Sequence, residues 1–127
     1  MADTYVHFEI PADDPEVLMS FYTSAFGWSF QHTPMPGMPD AEYILIQTAD
    51  EGQPGLPGGM FKRFGPDDKP RNFLGVSSID DTLRNVEAAG GKVTQPKMAV
   101  PNIGWAAFVT DPEGNLQGVF QDDSNAK

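Results

Sequence analysis

The chain of 127 residues has no cysteine. That excludes a disulfide framework, a thiolate nucleophile and any cysteine-based zinc or iron–sulfur site. Histidine is nearly absent as well, with two residues, His7 and His32. Cationic side chains are few: eight Lys and Arg stand against 18 Asp and Glu, for a net charge of −10. Such a surface repels phosphate backbones and anionic lipid, so neither nucleic acid nor a membrane is an expected partner. The charge speaks first to solubility; attraction of a cationic small molecule is the sharper alternative. No apolar run approaches the ~20 residues of a membrane span. Strand-like sequence begins at once and leaves no room for a signal peptide, so a cytoplasmic address is expected. A serine–histidine–acid set, a Walker loop and a dinucleotide fingerprint are all missing, and Gly58-Gly59 is too short to cradle phosphate.

What is present suffices for a packed interior: 39% hydrophobic residues, 11% of all residues aromatic. Thr4 to Ile10 reads as a strand. Residues two apart in a strand share a face, so His7 and Glu9 look one way and Val6, Phe8 and Ile10 the other. Asp14 is a good helix N-cap and Pro15 suits the first helical position. Val17, Leu18, Phe21, Tyr22, Ala25 and Phe26 recur at helical spacing as one apolar stripe, and Gly27 ends the helix. Phe21, Tyr22, Phe26 and Trp28 are expected in the helix–sheet core. A short strand over Ser29 to Thr33 follows. The three prolines of Pro34–Asp40 predict an irregular loop. Glu42 to Thr48 alternates, with Tyr43, Leu45 and Gln47 on one face. After a Gly/Pro-rich loop over Asp50–Gly59, a short strand near Gly59–Arg63 closes the first half.

Gly65 to Pro70 reads as a linker, after which the pattern restarts. Asn72–Ser77 is strand-like, Ser78 or Asp80 caps a helix bearing Ile79, Leu83, Val86 and Ala89, and Gly90-Gly91 stops it. Lys92–Gln95, Trp105–Thr110 and Asn115–Gln121 are further strands, the last two joined by the turn Asp111-Pro112-Glu113-Gly114. A β-α-β-β-β unit thus occurs twice, and a duplicated module is the main structural inference. The expected organisation is a single domain: module one over about residues 1–64, a linker over about 65–70 and module two over about 71–127.

An Asp-Pro helix start after a His-bearing first strand, Phe21-Tyr22 in mid-helix and Phe26-Gly27-Trp28 at its end resemble the vicinal oxygen chelate superfamily. That group includes glyoxalase I, extradiol dioxygenases, epimerases and bleomycin- and fosfomycin-resistance proteins. Gly90-Gly91, Pro96-Lys97-Met98, Ile103-Gly104-Trp105 and Asp111–Asn115 agree in the second half. The resemblance implies an α+β fold of two βαβββ modules with cupped mixed sheets, commonly in a homodimer. Catalytic relatives hold one divalent metal by four ligands, one on the first and one on the last strand of each module. The metal polarises vicinal oxygens of the substrate as a Lewis acid. His7 falls where the family's first histidine ligand sits. Gly58-Gly59-Met60-Phe61, Arg71-Asn72-Phe73-Leu74 and Gly118 stand at the other three positions and offer no imidazole or carboxylate. A metal site generally needs three or more protein ligands. No metal and no cofactor is therefore the expectation, with a divalent metal at His7 as the alternative.

The remaining expectation is a small-molecule site on the His7 face. His7 and Glu9 would supply its polar floor, and Tyr43, Gln47, Phe61, Phe73 and Trp105 its walls. For each, the competing reading is an ordinary core or strand position; Asp13-Asp14 and Asp80-Asp81 belong to helix starts, and Asp67-Asp68 and Asp122-Asp123 to solvated surface. Three functions stay open. One is a metal-independent ligand-binding protein. A second is a glyoxalase I-like lyase or isomerase with an atypical metal site, and the third a protein-interaction module.

Overall fold

The computed structural model describes residues 2–35 and 38–127. Its elements run β1 (Thr4–Ala12), α1 (Pro15–Phe26), β2 (Ser29–Met35), β3 (Met38–Gln47), β4 (Gly58–Lys62), β5 (Arg71–Gly75), α2 (Ile79–Ala88), β6 (Lys92–Val100), β7 (Gly104–Thr110) and β8 (Leu116–Asp122). The fold is α+β, and the β-α-β-β-β order occurs twice. Two compact units result: His7–Pro70 is one, and Arg71–Lys127 with the residues up to Val6 is the other. The boundary falls within β1 and again after Pro70, at the end of the Gly65–Pro70 segment.

In the His7–Pro70 unit the strand order is β2-β3-β4-β1, with β1 parallel to β4 and the other pairs antiparallel. Alternation along β1, β3 and β4 separates two faces. Ile10, Ala12, Ile44, Ile46 and Met60 form a buried cluster on one of them, with Leu18, Met19, Tyr22, Trp28 and Phe30 packed against it. His7, Glu9, Tyr43 and Gly59 lie on the other. The helix starts as its sequence requires: Asp14 Oδ1 accepts from Val17 N at 3.4 Å, and Pro15 sits where its missing N–H costs nothing. Gly27 ends it with φ +77°, a left-handed conformation suited to glycine. Trp28 then folds back, stacked on Tyr22 at 4.8 Å between ring centroids.

Two expectations need correction here. The predicted single stripe on α1 is split: Leu18 and Tyr22, with Met19, pack on the sheet, whereas Val17, Phe21 and Phe26 are 60%, 54% and 62% exposed. Six apolar residues span more of the helix circumference than one four-stranded half-sheet can cover. The Pro34–Asp40 segment, expected to be irregular, is largely strand: β2 reaches Met35 and β3 begins at Met38, paired with each other across a register shift at Pro34/Met35. That position is an edge of the sheet, where proline's missing N–H is tolerated. Pro36 and Gly37 of that segment lie outside the described residues.

The second unit repeats the plan. Its strand order is β5-β8-β7-β6, with β5 parallel to β8. Ser78 caps α2, its Oγ accepting from Asp81 N at 3.2 Å. Val76, Ile79, Ala107 and Val119 make the core between α2 and the sheet, joined by Leu74, Leu83 and Trp105. The strand β6 is longer than the predicted Lys92–Gln95. It continues to Val100 with register shifts on either side of Gln95, next to Pro96, which has no amide hydrogen to donate.

Candidate functional site

The first strand brings His7 and Glu9 to one face, and β3 delivers Tyr43 between them. His7 Nε2 lies 3.0 Å from the Tyr43 hydroxyl, which itself donates to Glu9 Oε2 at 2.7 Å. A phenol has one proton. Since that proton goes to Glu9, His7 Nε2 must donate to Tyr43, which places the lone pair of neutral His7 on Nδ1. Burial lowers the His7 imidazole below its ordinary value, and the Glu9 carboxylate acts in the raising direction as the smaller influence. Neutral histidine, phenol and carboxylate thus form a connected chain of hydrogen bonds on the face opposite the α1 core.

The position of Tyr43 depends on Gly59. A Cβ at Gly59 would meet the Tyr43 oxygen at 1.7 Å and Cζ at 2.0 Å, so the ring occupies the place of a side chain on β4. The second unit shows the same device. A Cβ at Gly118, on β8, would lie 2.5 Å from Phe73 Cδ1. Phe73 pairs with Gly118 in register and packs at 5.4 Å against Phe108, whose other neighbour is the Arg71 guanidinium at 4.7 Å. In each unit, therefore, the last strand presents a glycine covered by an aromatic ring.

Gly118 lies where the family resemblance asks for a metal-binding side chain, and Gly59 lies within the Gly58–Phe61 stretch where it asks for another, which tests the fit of a divalent metal. A ligand side chain at Gly59 or at Gly118 would overlap a ring already there. His7 and Glu9 supply one imidazole and one carboxylate, each hydrogen-bonded to the Tyr43 hydroxyl. Among the described residues no group of three or more His, Asp or Glu side chains converges. The donor set does not fit a four-ligand metal centre.

The other predicted wall residues fall in different places. Gln47 lies two steps along β3 from Leu45, on the Tyr43 face, and its amide donates to Ala49 O at 2.9 Å. Phe61 is on that face too but is 1% exposed and stacked on Phe64 at 5.6 Å. Phe73 belongs to the second unit, on the face away from α2. Trp105 also belongs to that unit but sits on its α2 side, in the core, with Nε1 donating to Asp123 Oδ2 at 3.0 Å and Lys97 Nζ 4.7 Å above the ring.

One feature escaped sequence reasoning. A cleft of about 490 Å³ is bounded by Gln31, Leu45 and Gln47 of the β2–β3 hairpin and by the Thr48–Pro57 loop. The alternation of β3 and the Gly/Pro content of the loop were the available signals. What the sequence withheld is that the loop closes over the hairpin.

Comparison with known proteins agrees with this architecture. The glyoxalase/bleomycin resistance protein/dioxygenase superfamily model matches residues 4–118. A glyoxylase-like domain-containing protein of Didymella fabae is 29% identical over 120 residues, covering 87% of this chain and 88% of that protein. A candidate glyoxylase of Mycobacterium tuberculosis, CFP32, is 27% identical over 119 residues, which is 89% of this chain but 43% of that protein. The chain thus spans less than half the length of this mycobacterial relative. Among solved structures, methylmalonyl-CoA epimerase from M. tuberculosis has a TM-score of 0.69 at 14% identity, with 94% of this chain and 87% of that chain covered. At that identity the likeness speaks to fold alone. With a family model covering nearly all of its length and the fold in agreement, the chain belongs to the glyoxalase/bleomycin resistance protein/dioxygenase superfamily.

Proposed function

We propose that this protein binds a small organic molecule on the His7–Tyr43–Glu9 face without a divalent metal. The observation that carries the reading is the Tyr43 hydroxyl, held between His7 Nε2 and Glu9 Oε2 at 3.0 and 2.7 Å. Polar groups so joined are pre-set to meet a ligand's donor or acceptor, and perturbed titratable groups gather at functional sites. Glycine at Gly118 and the lack of any carboxylate or imidazole in Gly58–Phe61, the stretches where the resemblance implies ligands, support independence from metal. The epimerases among the structural neighbours are named for a CoA ester, an anionic ligand class that a chain of net charge −10 does not favour.

A second reading rests on the same hydrogen bonds. A neutral imidazole, a phenol and a carboxylate in series can move a proton, as a lyase or isomerase would require. It needs a substrate atom within hydrogen-bond reach of the chain of groups.

The test is metal analysis and calorimetry on protein purified without chelators, together with His7→Ala. The expected result is less than stoichiometric nickel, zinc or iron, with ligand affinity lost in His7→Ala. Stoichiometric metal at His7 would sink the proposal. An unchanged affinity in the variant would remove His7 from it. We also infer a cytoplasmic homodimer. No helix among the described residues is long and apolar enough to cross a membrane, and Val17, Phe21 and Phe26 leave an apolar surface on α1 that a second copy would cover.

A further inference from the structure

The cleft beside β3 has a chemistry of its own. Thr48 Oγ1 donates to Leu56 O at 2.6 Å, and Gln53 N donates to Asp50 O at 2.9 Å, so the loop is tied to itself at its base and its tip. Gly55 allows this closure, since a Cβ there would sit 2.8 Å from Ala49 Cβ and 3.0 Å from Thr48 Oγ1. Gly52 turns the tip with φ +83°. A loop fixed by its own contacts presents a site that needs little ordering when a ligand arrives. The volume of about 490 Å³ lies within the usual range for small-molecule sites.

The walls define the ligand class. Leu45 and Leu56 are 42% and 41% exposed, which offers apolar contact from both sides of the cleft. Gln31 and Gln47 add amides that can donate and accept. Asp50 and Glu51 stand at the loop, and among the described residues they are the charged groups that line the cleft, with no Lys, Arg or His beside them. With net charge −10 behind them, they set a potential that favours cations over anions.

We propose that the cleft between the β2–β3 hairpin and the Thr48–Pro57 loop is a preformed site for a small neutral or cationic molecule with an apolar body and an amide-like polar group. It discriminates against anions. The inference rests on the ligand-binding reading above and names the class of ligand; Leu45 and Gln47 of the cleft share the Tyr43 face of β3.

Three probes of one shape and three charges test it: benzamide, benzamidine and benzoate, each titrated at millimolar concentration into isotope-labelled protein while backbone amide shifts are followed. The expected result is perturbation of residues 45–56 by benzamide and benzamidine, with benzamidine bound at least about threefold tighter than benzoate. Leu45→Lys, a change at an exposed position that adds one positive charge beside Asp50 and Glu51, should narrow that difference. Benzoate bound as well as benzamidine overturns the proposed ligand class, and the absence of shifts in residues 45–56 overturns the site. Shifts confined to His7, Glu9 and Tyr43 would overturn the cleft while leaving the metal-free binding proposal intact. Cleft shifts that persist unchanged in His7→Ala would support the cleft and count against a role for His7.

Discussion

The Tyr43 hydroxyl has one proton and lies against both His7 and Glu9, and its loss should be legible in both. In Tyr43→Phe the ring still covers Gly59, so packing is preserved while the hydrogen bonds to His7 and Glu9 vanish. The expected cost is about 1–2 kcal/mol, the usual consequence of removing a partner from part-buried polar groups. A urea midpoint indistinguishable from wild type would show that the triad contributes no stability. His7 carries the pH dependence. Its imidazole is held below the ordinary 6.5 by burial, so on acidification the unfolded chain takes up a proton before the folded one. Stability contributed by neutral His7 is therefore fully present above that ordinary value and is lost as pH falls through the lower folded value. His7→Gln removes the difference. Thermal denaturation at ~pH 7.5 and ~pH 5.5 should show a larger loss of stability in wild type than in the variant. Equal losses would mean that the imidazole is not desolvated. At this scale the sequence was informative about partners on one strand, because alternation puts His7 and Glu9 together. It could not reveal that Tyr43, 34 residues beyond Glu9, joins them, since that depends on the order β3-β4-β1 and on a glycine in the strand between.

At the scale of elements, the paired glycines make the strongest statement about metal chemistry. Gly118→Glu would place a carboxylate where the family resemblance expects a metal ligand, yet Phe73 already fills that volume. The substitution should destabilise the protein by about 1–3 kcal/mol through overpacking, and nickel should not restore the melting temperature. Phe73→Ala in the same chain should recover part of the loss, since it opens the volume the new side chain needs. A melting temperature raised by nickel in Gly118→Glu would show that the strand retains a latent metal geometry. The strands and helices themselves were largely readable. Capping at Asp14 and Ser78, the stop at Gly27 and the period of Glu42–Thr48 are local signals, written in neighbouring residues. The hairpin through Pro34 was not, because proline signals an edge strand as readily as a loop and only pairing distinguishes the two. Trp105 was misplaced for a related reason: an aromatic near the start of a strand does not announce which face it takes until the helix over it is known.

For the whole molecule, the duplicated β-α-β-β-β order was visible in the sequence because turns, caps and glycines recur on the same schedule in both halves. How much of each helix would be covered was not, as that is settled by what packs on it. α2 buries Ile79 against its sheet, whereas α1 has no buried residue and leaves Val17, Phe21 and Phe26 in solvent. Phe21 and Phe26 touch at 6.2 Å between centroids and form one apolar surface. Exposed phenylalanines of this kind act as anchors in interfaces, and a stable pair of chains typically buries about 800 Å² on each partner. Sedimentation velocity at micromolar concentration should therefore report a dimer, and Phe21→Ser with Phe26→Ser should convert it to a folded monomer. The folded state is expected to survive because neither ring contributes to the buried cluster on which α1 rests. A wild-type monomer would remove the second copy as the cover for α1. A dimer unaffected by the double substitution would place the interface elsewhere.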